Sequence, residues 1–216
     1  MKFKDLRKRI IEILRILHKN FPEAKTALKC SNAFELLIAT ILSAQCTDKQ
    51  VNKVMKNLVK KYPSPYEYTY VNPVDLEEDI KSTGFFRNKA KSIIACCKKL
   101  IEDFESKVPD NMEDLVSLPG VGRKTASVVL ANYFNIPAIA VDTHVNRVSR
   151  RLGLTSEEKA EKIELDLMKI IPKDEWIFFS NALILHGRNI CKSKKPDCLN
   201  CDFNKLCPSK DLFILQ

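Results

Sequence analysis

Two stretches of this chain hold residues whose types and spacing suit chemistry. The first runs Leu118-Pro119-Gly120-Val121-Gly122-Arg123-Lys124-Thr125-Ala126, and Asp142 follows Lys124 by eighteen residues. Of the chain's five glycines, two fall within three positions here. Glycine weakens a helix but suits a backbone that turns at positive φ or passes close to another molecule. The pair therefore marks a turn between two helical patterns, Met112 to Leu118 and Lys124 to Phe134. The second helix would open with free backbone N–H groups and a partial positive charge, a setting for a phosphate oxygen. Lys124 stands beside that anion site, either as a clamp on the phosphate or as a nucleophile.

The second stretch holds Cys191, Cys198, Cys201 and Cys207, spaced C-x6-C-x2-C-x5-C among Pro196, Asp197, Asn200 and Pro208. Four thiols this close in a loop-rich segment form a metal-ligand pattern. Zinc usually takes paired C-x2-C knuckles, and only one such pair is present. A four-cysteine iron–sulfur cluster suits the uneven spacing better; buried or disulfide-bonded thiols are the alternative.

Helices must position both stretches, because helical periodicity runs through nearly the whole chain. Leu6, Ile10, Ile13, Leu14, Leu17 and Phe21 define an amphipathic first helix that stops before Pro22. Ser31 or Asn32 caps a strongly apolar second helix, Phe34 to Ala44, which belongs at a centre. Asp48 begins a third, with Val51, Val54, Met55 and Leu58 on one face. A short helix follows Pro73 and ends near Gly84; a longer one carries Ala90, Ile93, Ile94, Cys97, Leu100 and Ile101 toward Pro109. After the glycine pair, helices are expected from Asp142 or Thr143 through Arg151, from Glu157 to Ile170, and from Trp176 to His186. No alternating strand, internal repeat or low-complexity linker stands out, so the expectation is an all-α protein.

The 216 residues, with formal charge +9, allow one large or two small domains with a true core. The basic excess favours a polyanionic partner, weakly by itself. No apolar run reaches the roughly eighteen residues of a membrane span. The start, Met1-Lys2-Phe3-Lys4-Asp5-Leu6-Arg7, puts charges where a signal peptide is apolar. An intracellular protein is expected, with Cys30, Cys46, Cys96 and Cys97 reduced and buried as small hydrophobes. The apolar run Leu212-Phe213-Ile214-Leu215 has no assigned role.

Leu118 to Thr125, Val141-Asp142-Thr143-His144-Val145, Ser43-Ala44-Gln45 with Thr47-Asp48, and the cysteine spacing together resemble the endonuclease III family. These are base-excision DNA glycosylases of the helix-hairpin-helix superfamily, and the likeness runs from the first helix to Cys207. It implies two lobes with a DNA groove between them. One is a six-helix barrel at residues 26–136 with the hairpin at about 112–134. The other is discontinuous, residues 1–25 plus 137–216, with a 4Fe-4S cluster on the cysteine loop 191–207. It further implies a monomer working on the nucleoid of a prokaryotic cytoplasm, on duplex DNA with damaged bases or abasic sites.

The implied activity is bifunctional: removal of oxidised pyrimidines, then strand cleavage. Lys124 would attack the sugar C1′, expel the base and leave an imine that acidifies C2′, so the 3′-phosphate departs by β-elimination. An ordinary lysine is almost wholly protonated near neutral pH, and the positive end of a helix favours the free amine. Asp142 would take the lysine proton or stabilise developing positive charge, while its place at a helix start also suits a plain N-cap. His144 would contact phosphate, its own helix or a proton in transit. Gly120, Gly122 and Arg123 would lie along the DNA backbone. Gln45 would fill the gap left by an extruded base, and Phe85 would wedge against exposed bases; Phe86 beside it, or a core role, is the alternative. Lys192, Lys194 and Lys195 would reach phosphates or offset the cluster's negative charge. The rivals are a mismatch-specific glycosylase, removing adenine or thymine or uracil, and a non-catalytic DNA-structure binder. Lys124 disfavours the mismatch enzymes, and Lys124 together with Asp142 disfavours the binder.

Overall fold

The computed structural model describes residues 3–214; Leu215 of the C-terminal apolar run lies outside them. The described residues are helical, with no strand among them. They divide into two compact units, Thr26–Ile136 and the discontinuous pair Met1–Lys25 with Pro137–Gln216. None of the described helices is long and apolar enough to cross a membrane.

α1 (Phe3–Asn20) belongs to the other unit, and the first helix of the unit Thr26–Ile136 is α2 (Ala33–Leu42). Its residues Leu36 to Leu42 are all buried, which makes it the central element. Asn32 caps it, accepting the Glu35 N–H at 2.8 Å, and Glu35 in turn accepts the Ser31 N–H at 2.7 Å. Around it come α3 (Asp48–Lys61), α4 (Pro65–Tyr70), α5 (Pro73–Ile80), a 3-10 turn at Lys81–Thr83, α6 (Phe86–Phe104), α7 (Met112–Ser117) and α8 (Arg123–Asn132). α2 packs on α3, α6 and α8; α4 and α5 pack on α6; α7 packs on α8. α6 turns Ala90, Ile93, Cys96, Cys97 and Leu100 inward, one helical face of its 19 residues.

In this unit the clearest departures from the sequence pattern are at α2 and α4. α2 ends at Leu42 rather than Ala44, because the Ser43 hydroxyl bonds back to the Thr40 carbonyl and the chain turns with Gln45 at φ +52°. α4 is an added helix, started by a capping box in which Glu67 accepts the Ser64 N–H at 2.8 Å.

The other unit joins α1 (Phe3–Asn20) to α9 (Thr143–Arg151), α10 (Ala160–Ile170), a 3-10 turn at Lys173–Glu175, α11 (Trp176–Asn189) and α12 (Asp211–Ile214). Ile10, Ile13, Leu14 and Leu17 of α1 share one core with Val145, Val148, Leu167, Phe179 and Leu183. That burial is why the chain's first segment belongs here. Phe203, 1% exposed, plugs the cysteine segment into the same core. Arg9 of α1 donates to the Leu152 carbonyl and, at 3.1 Å, to that of Leu206.

Candidate functional site

The hairpin turn is built by two buried apolar residues, Leu118 and Val121, whose backbones bond to each other at 3.1 Å. Between them Gly120 sits at φ +78°, and a Cβ there would lie 2.6 Å from the Ser92 Cβ on α6. Both the backbone angle and the neighbour therefore require glycine. Gly122 is different. It is extended (φ −89°, ψ 172°) and a Cβ would meet nothing within 4 Å, so the chain's own fold does not demand glycine there. As the N-cap of α8 it supplies no side-chain oxygen, and the helix has no side-chain cap. The ten-residue α8 thus opens with backbone N–H groups that no side chain caps, and the exposed Arg123 and Lys124 occupy its first two positions. Such a helix end attracts an anion.

Elsewhere in the same unit, two exposed turns carry Gln45 and Phe85. Both residues adopt left-handed backbone, φ +52° and +49°, a conformation costing on the order of 1–3 kcal/mol for a residue with a side chain. Phe85 is 61% exposed, whereas Phe86 is partly buried with the Arg87 guanidinium over its ring. Beneath the turns lies Lys89, 5% exposed, which the sequence pattern does not single out.

Asp142 belongs to the other unit, at the N-cap of α9. Its Oδ1 accepts both the His144 and Val145 N–H groups. The structure thus gives it the capping role and leaves Oδ2 outside the cap. His144 packs its Cβ where a Gly187 side chain would be, 2.9 Å from that built position. Its Nδ1 lies 3.2 Å from Arg147 Nη2. Burial pushes the imidazole below its ordinary value; Asp142 opposes this, while Arg147 and Arg188 reinforce it.

All eight cysteines are free thiols. Cys191, Cys198, Cys201 and Cys207 line one hollow together with Arg151, His186, Phe203 and Asn204. Burial pushes the Cys201 thiol up to about 11 and raises Cys198 and Cys207 as well, with neighbouring thiols adding to each rise. Four thiolates share such a hollow only when a cation offsets them. Among the described residues no three His, Cys, Asp or Glu side chains converge on a point that would suit one ion. Four thiols around one hollow are a donor set of the chemistry that an iron–sulfur cluster takes. Lys192, Lys194 and Lys195 are exposed on the loop between the first two cysteines.

Two arginines of α9 tie this loop down, and no motif in the sequence marks them. Arg147 donates to the carbonyls of Gly187 at 2.9 Å and Cys191 at 3.0 Å. Arg151 donates to the Cys191 sulfur at 3.4 Å and to the Lys192 and Ser193 carbonyls at 2.7 and 2.8 Å. Its guanidinium also lies 4.3 Å from the centre of the Phe213 ring, which gives that part of the apolar tail a packing role. One short helix thus has Asp142 at its start and the cysteine loop at its end. Lys124, Gln45 and Phe85 are in the unit Thr26–Ile136; Asp142, His144 and the four cysteines are in the other.

Residues 38–173 match the family of HhH-GPD superfamily base excision DNA repair proteins. The endonuclease III of Synechocystis sp. is 50% identical over 209 residues, covering 96% of this chain and 95% of that protein. A solved structure of a non-covalent endonuclease III–DNA complex superposes with TM-score 0.94 at 45% identity, covering 97% of this chain and 99% of that one. A trapped endonuclease III–DNA covalent intermediate, an estranged-adenine complex, gives TM-score 0.92 at 45% identity, covering 99% of each chain. With an all-helical fold, an uncapped hairpin helix and this degree of likeness along its whole length, the chain belongs to the endonuclease III family of HhH-GPD superfamily base excision DNA repair proteins.

Proposed function

We propose that this protein is a bifunctional DNA glycosylase and abasic-site lyase that removes oxidised pyrimidines from duplex DNA and cuts the strand through an imine on Lys124. The observation that carries the reading is the exposed lysine at the second position of α8, beside backbone N–H groups that no side chain caps. A 3′- or 5′-phosphate held by those groups, with Gly120, Gly122 and Arg123 against the strand, presents C1′ of the adjoining sugar to the amine. Attack at C1′ releases the base and opens the ring as an imine. Loss of a C2′ proton then expels the 3′-phosphate. The covalent endonuclease III–DNA intermediate among the relatives supports a covalent route.

Asp142 keeps Oδ1 in the cap and uses its negative charge to stabilise the sugar as the base leaves, or to receive the lysine proton. His144 serves as a phosphate contact rather than a base. Gln45 and Phe85 fill the stack when the damaged nucleotide swings out. The unit Thr26–Ile136 acts as the DNA-reading barrel and the discontinuous unit as the cluster lobe. Cys191, Cys198, Cys201 and Cys207 would hold a 4Fe-4S cluster, which supplies a crosslink rather than electrons, since glycosidic cleavage and elimination need no redox change. Lys192, Lys194 and Lys195 contact DNA phosphates. A bacterial enzyme of this kind works in the cytoplasm, on the nucleoid.

Borohydride added during turnover on a duplex with one oxidised pyrimidine tests this. Protein joined covalently to DNA at Lys124, and loss of both trapping and cleavage in Lys124→Gln, are expected. Trapping at the normal rate in Lys124→Gln would move the nucleophile elsewhere and end the reading.

A further inference from the structure

Lys89 is a lysine inside the protein that no carboxylate meets among the described residues. It projects from the first turn of α6 into the unit Thr26–Ile136, where it is 5% exposed. Its ammonium donates to the Leu42 carbonyl at 2.7 Å and to the Thr83 carbonyl at 2.8 Å. Leu42 is the last residue of α2, where carbonyls lose their helical partners. Thr83, 2% exposed, ends the 3-10 turn just before Gly84 and Phe85. Its own side chain is spent on the Ile80 carbonyl at 2.8 Å. Both acceptors are thus backbone groups bordering an exposed turn, one leading to Gln45 and the other to Phe85.

Each turn has local backbone bonds, Cys46 N–H to the Ser43 carbonyl at 3.1 Å and Gly84 N–H to the Lys81 carbonyl at 3.2 Å. α3 also packs on the 3-10 turn, but no backbone bond joins the two turns among the described residues. Gln45 and Phe85 are exposed, so their side chains cannot anchor the backbone, yet both sit in left-handed conformations that persist only where surroundings over-determine them. Phe85 is the N-cap of α6 and provides no side-chain cap. Lys89 supplies what is missing from two directions. Its backbone N–H bonds to the Phe85 carbonyl at 3.1 Å, and its side chain crosses to residues 6 and 47 positions away in sequence. One outer link, Gln50 to the Ser82 hydroxyl at 2.6 Å, runs in parallel and is exposed. Burying an ammonium is unfavourable, and a neutral side chain would leave two buried carbonyls bare, so charge-assisted bonds to both suit a clamp.

We propose that Lys89 is a positioning residue for nucleotide extrusion: its ammonium joins the Gln45 turn to the Phe85 turn, so that both side chains meet the duplex as one preset pair. This rests on reading Gln45 and Phe85 as the groups that occupy the stack. Because Lys89 is buried, it acts through them and not on the reacting atoms.

The test uses the full-length protein as Lys89→Met, which keeps the length and removes the donors, and Lys89→Gln, which retains one donor group. Gln45→Ala and Phe85→Ala are run in parallel. One substrate is a duplex with an oxidised pyrimidine flanked by 2-aminopurine, whose fluorescence rises when the stack opens. The other is a single strand with a preformed abasic site, which requires no extrusion. Lys89→Met should slow single-turnover excision in the duplex at least about tenfold and reduce the fluorescence rise, while cleavage of the single strand stays within about twofold. Lys89→Gln should fall between, and Gln45→Ala should add little on top of Lys89→Met.

If Gln45→Ala and Phe85→Ala leave the fluorescence rise intact, the reading of those two residues fails. If they diminish it and Lys89→Met does not, that reading stands and the clamp is overturned. Equal slowing on both substrates, or loss of helical circular dichroism in both Lys89 variants, also overturns it, because Lys89 would then be part of the scaffold only.

Discussion

Asp142 accepts the backbone N–H of His144 through Oδ1 at 2.8 Å, and the same oxygen takes the N–H of Val145 at 2.8 Å. One carboxylate oxygen is thereby fixed by the helix it starts, and the orientation of the other follows. The cap thus occupies Oδ1 alone, so substitutions can separate it from the charge-stabilising role proposed for this carboxylate.

Asn at this position keeps an oxygen for the cap and loses the charge; Ala loses both. Asp142→Asn should therefore melt close to the wild type, and Asp142→Ala should be destabilised by about 1 kcal/mol. Base excision should fall at least about a hundredfold in both, the loss typical of a group that stabilises developing charge. Lyase action on a preformed abasic site should fall less, because no base has to leave. Excision that tracks melting temperature, nearly normal in Asp142→Asn and low only in Asp142→Ala, would reduce Asp142 to a cap.

The two hairpin glycines make opposite predictions. Gly120→Ala forces a side chain onto φ +78° and into Ser92, so it should cost at least about 1 kcal/mol of stability. Gly122→Ala has room and an ordinary φ, and should cost no more than the ~0.5–1 kcal/mol difference between glycine and alanine at a helix cap. Its effect should instead be on DNA, with affinity weakened about tenfold, roughly the worth of one displaced hydrogen bond. Denaturant melts and binding isotherms on the pair check this; a Gly122→Ala protein that binds normally would detach the α8 end from the phosphate.

Much of the fold is legible in the sequence because its helices bury regular apolar faces. Leu6 to Phe21 and Ala90 to Ile101 read directly as such. The all-α class follows from that periodicity, and from the motif resemblance follows the family. α4 is harder: Pro63 and Pro65 make the segment look like a loop, although Ser64 and Glu67 carry the capping-box signal. The early end of α2 depends on one hydroxyl, Ser43, turning back to Thr40, which no periodicity encodes. Lys89 is least legible. On α6 it reads as one more basic residue of an amphipathic helix, and only the arrival of Leu42 from 47 residues away encloses it. Arg147 and Arg151 are hidden similarly, in a basic run whose partners lie about forty residues downstream.

The cysteine hollow leads to a compositional prediction. Purified without chelators, the protein should be brown, absorb broadly near 400 nm and contain about four irons per chain with matching inorganic sulfide. Cys198→Ser should chiefly lower soluble yield. The segment 191–207 has few apolar side chains beyond Phe203, Leu199 and Leu206, and Leu199 is 76% exposed. Stoichiometric zinc without iron after anaerobic purification would replace the cluster with another metal.

The loop lysines should be visible in the salt dependence of binding. The backbone of Lys192 and Ser193 is held by Arg151 at 2.7 and 2.8 Å, so the loop that displays Lys192, Lys194 and Lys195 has a fixed base while the side chains themselves are exposed. Fixed ammonium groups that contact phosphates release condensed counterions on binding. With some four to six phosphates neutralised, log affinity should fall against log salt with a slope of about −4 to −5. Changing all three lysines to alanine should make the slope shallower by up to about 2.7, since each lost contact removes about 0.9. Single-turnover chemistry on saturating duplex should change little, because none of the three is placed at the reacting sugar. A triple variant with the parental slope but a less stable cluster, read from the decay of its 400 nm band, would mean that these charges balance the thiolates and do not touch DNA.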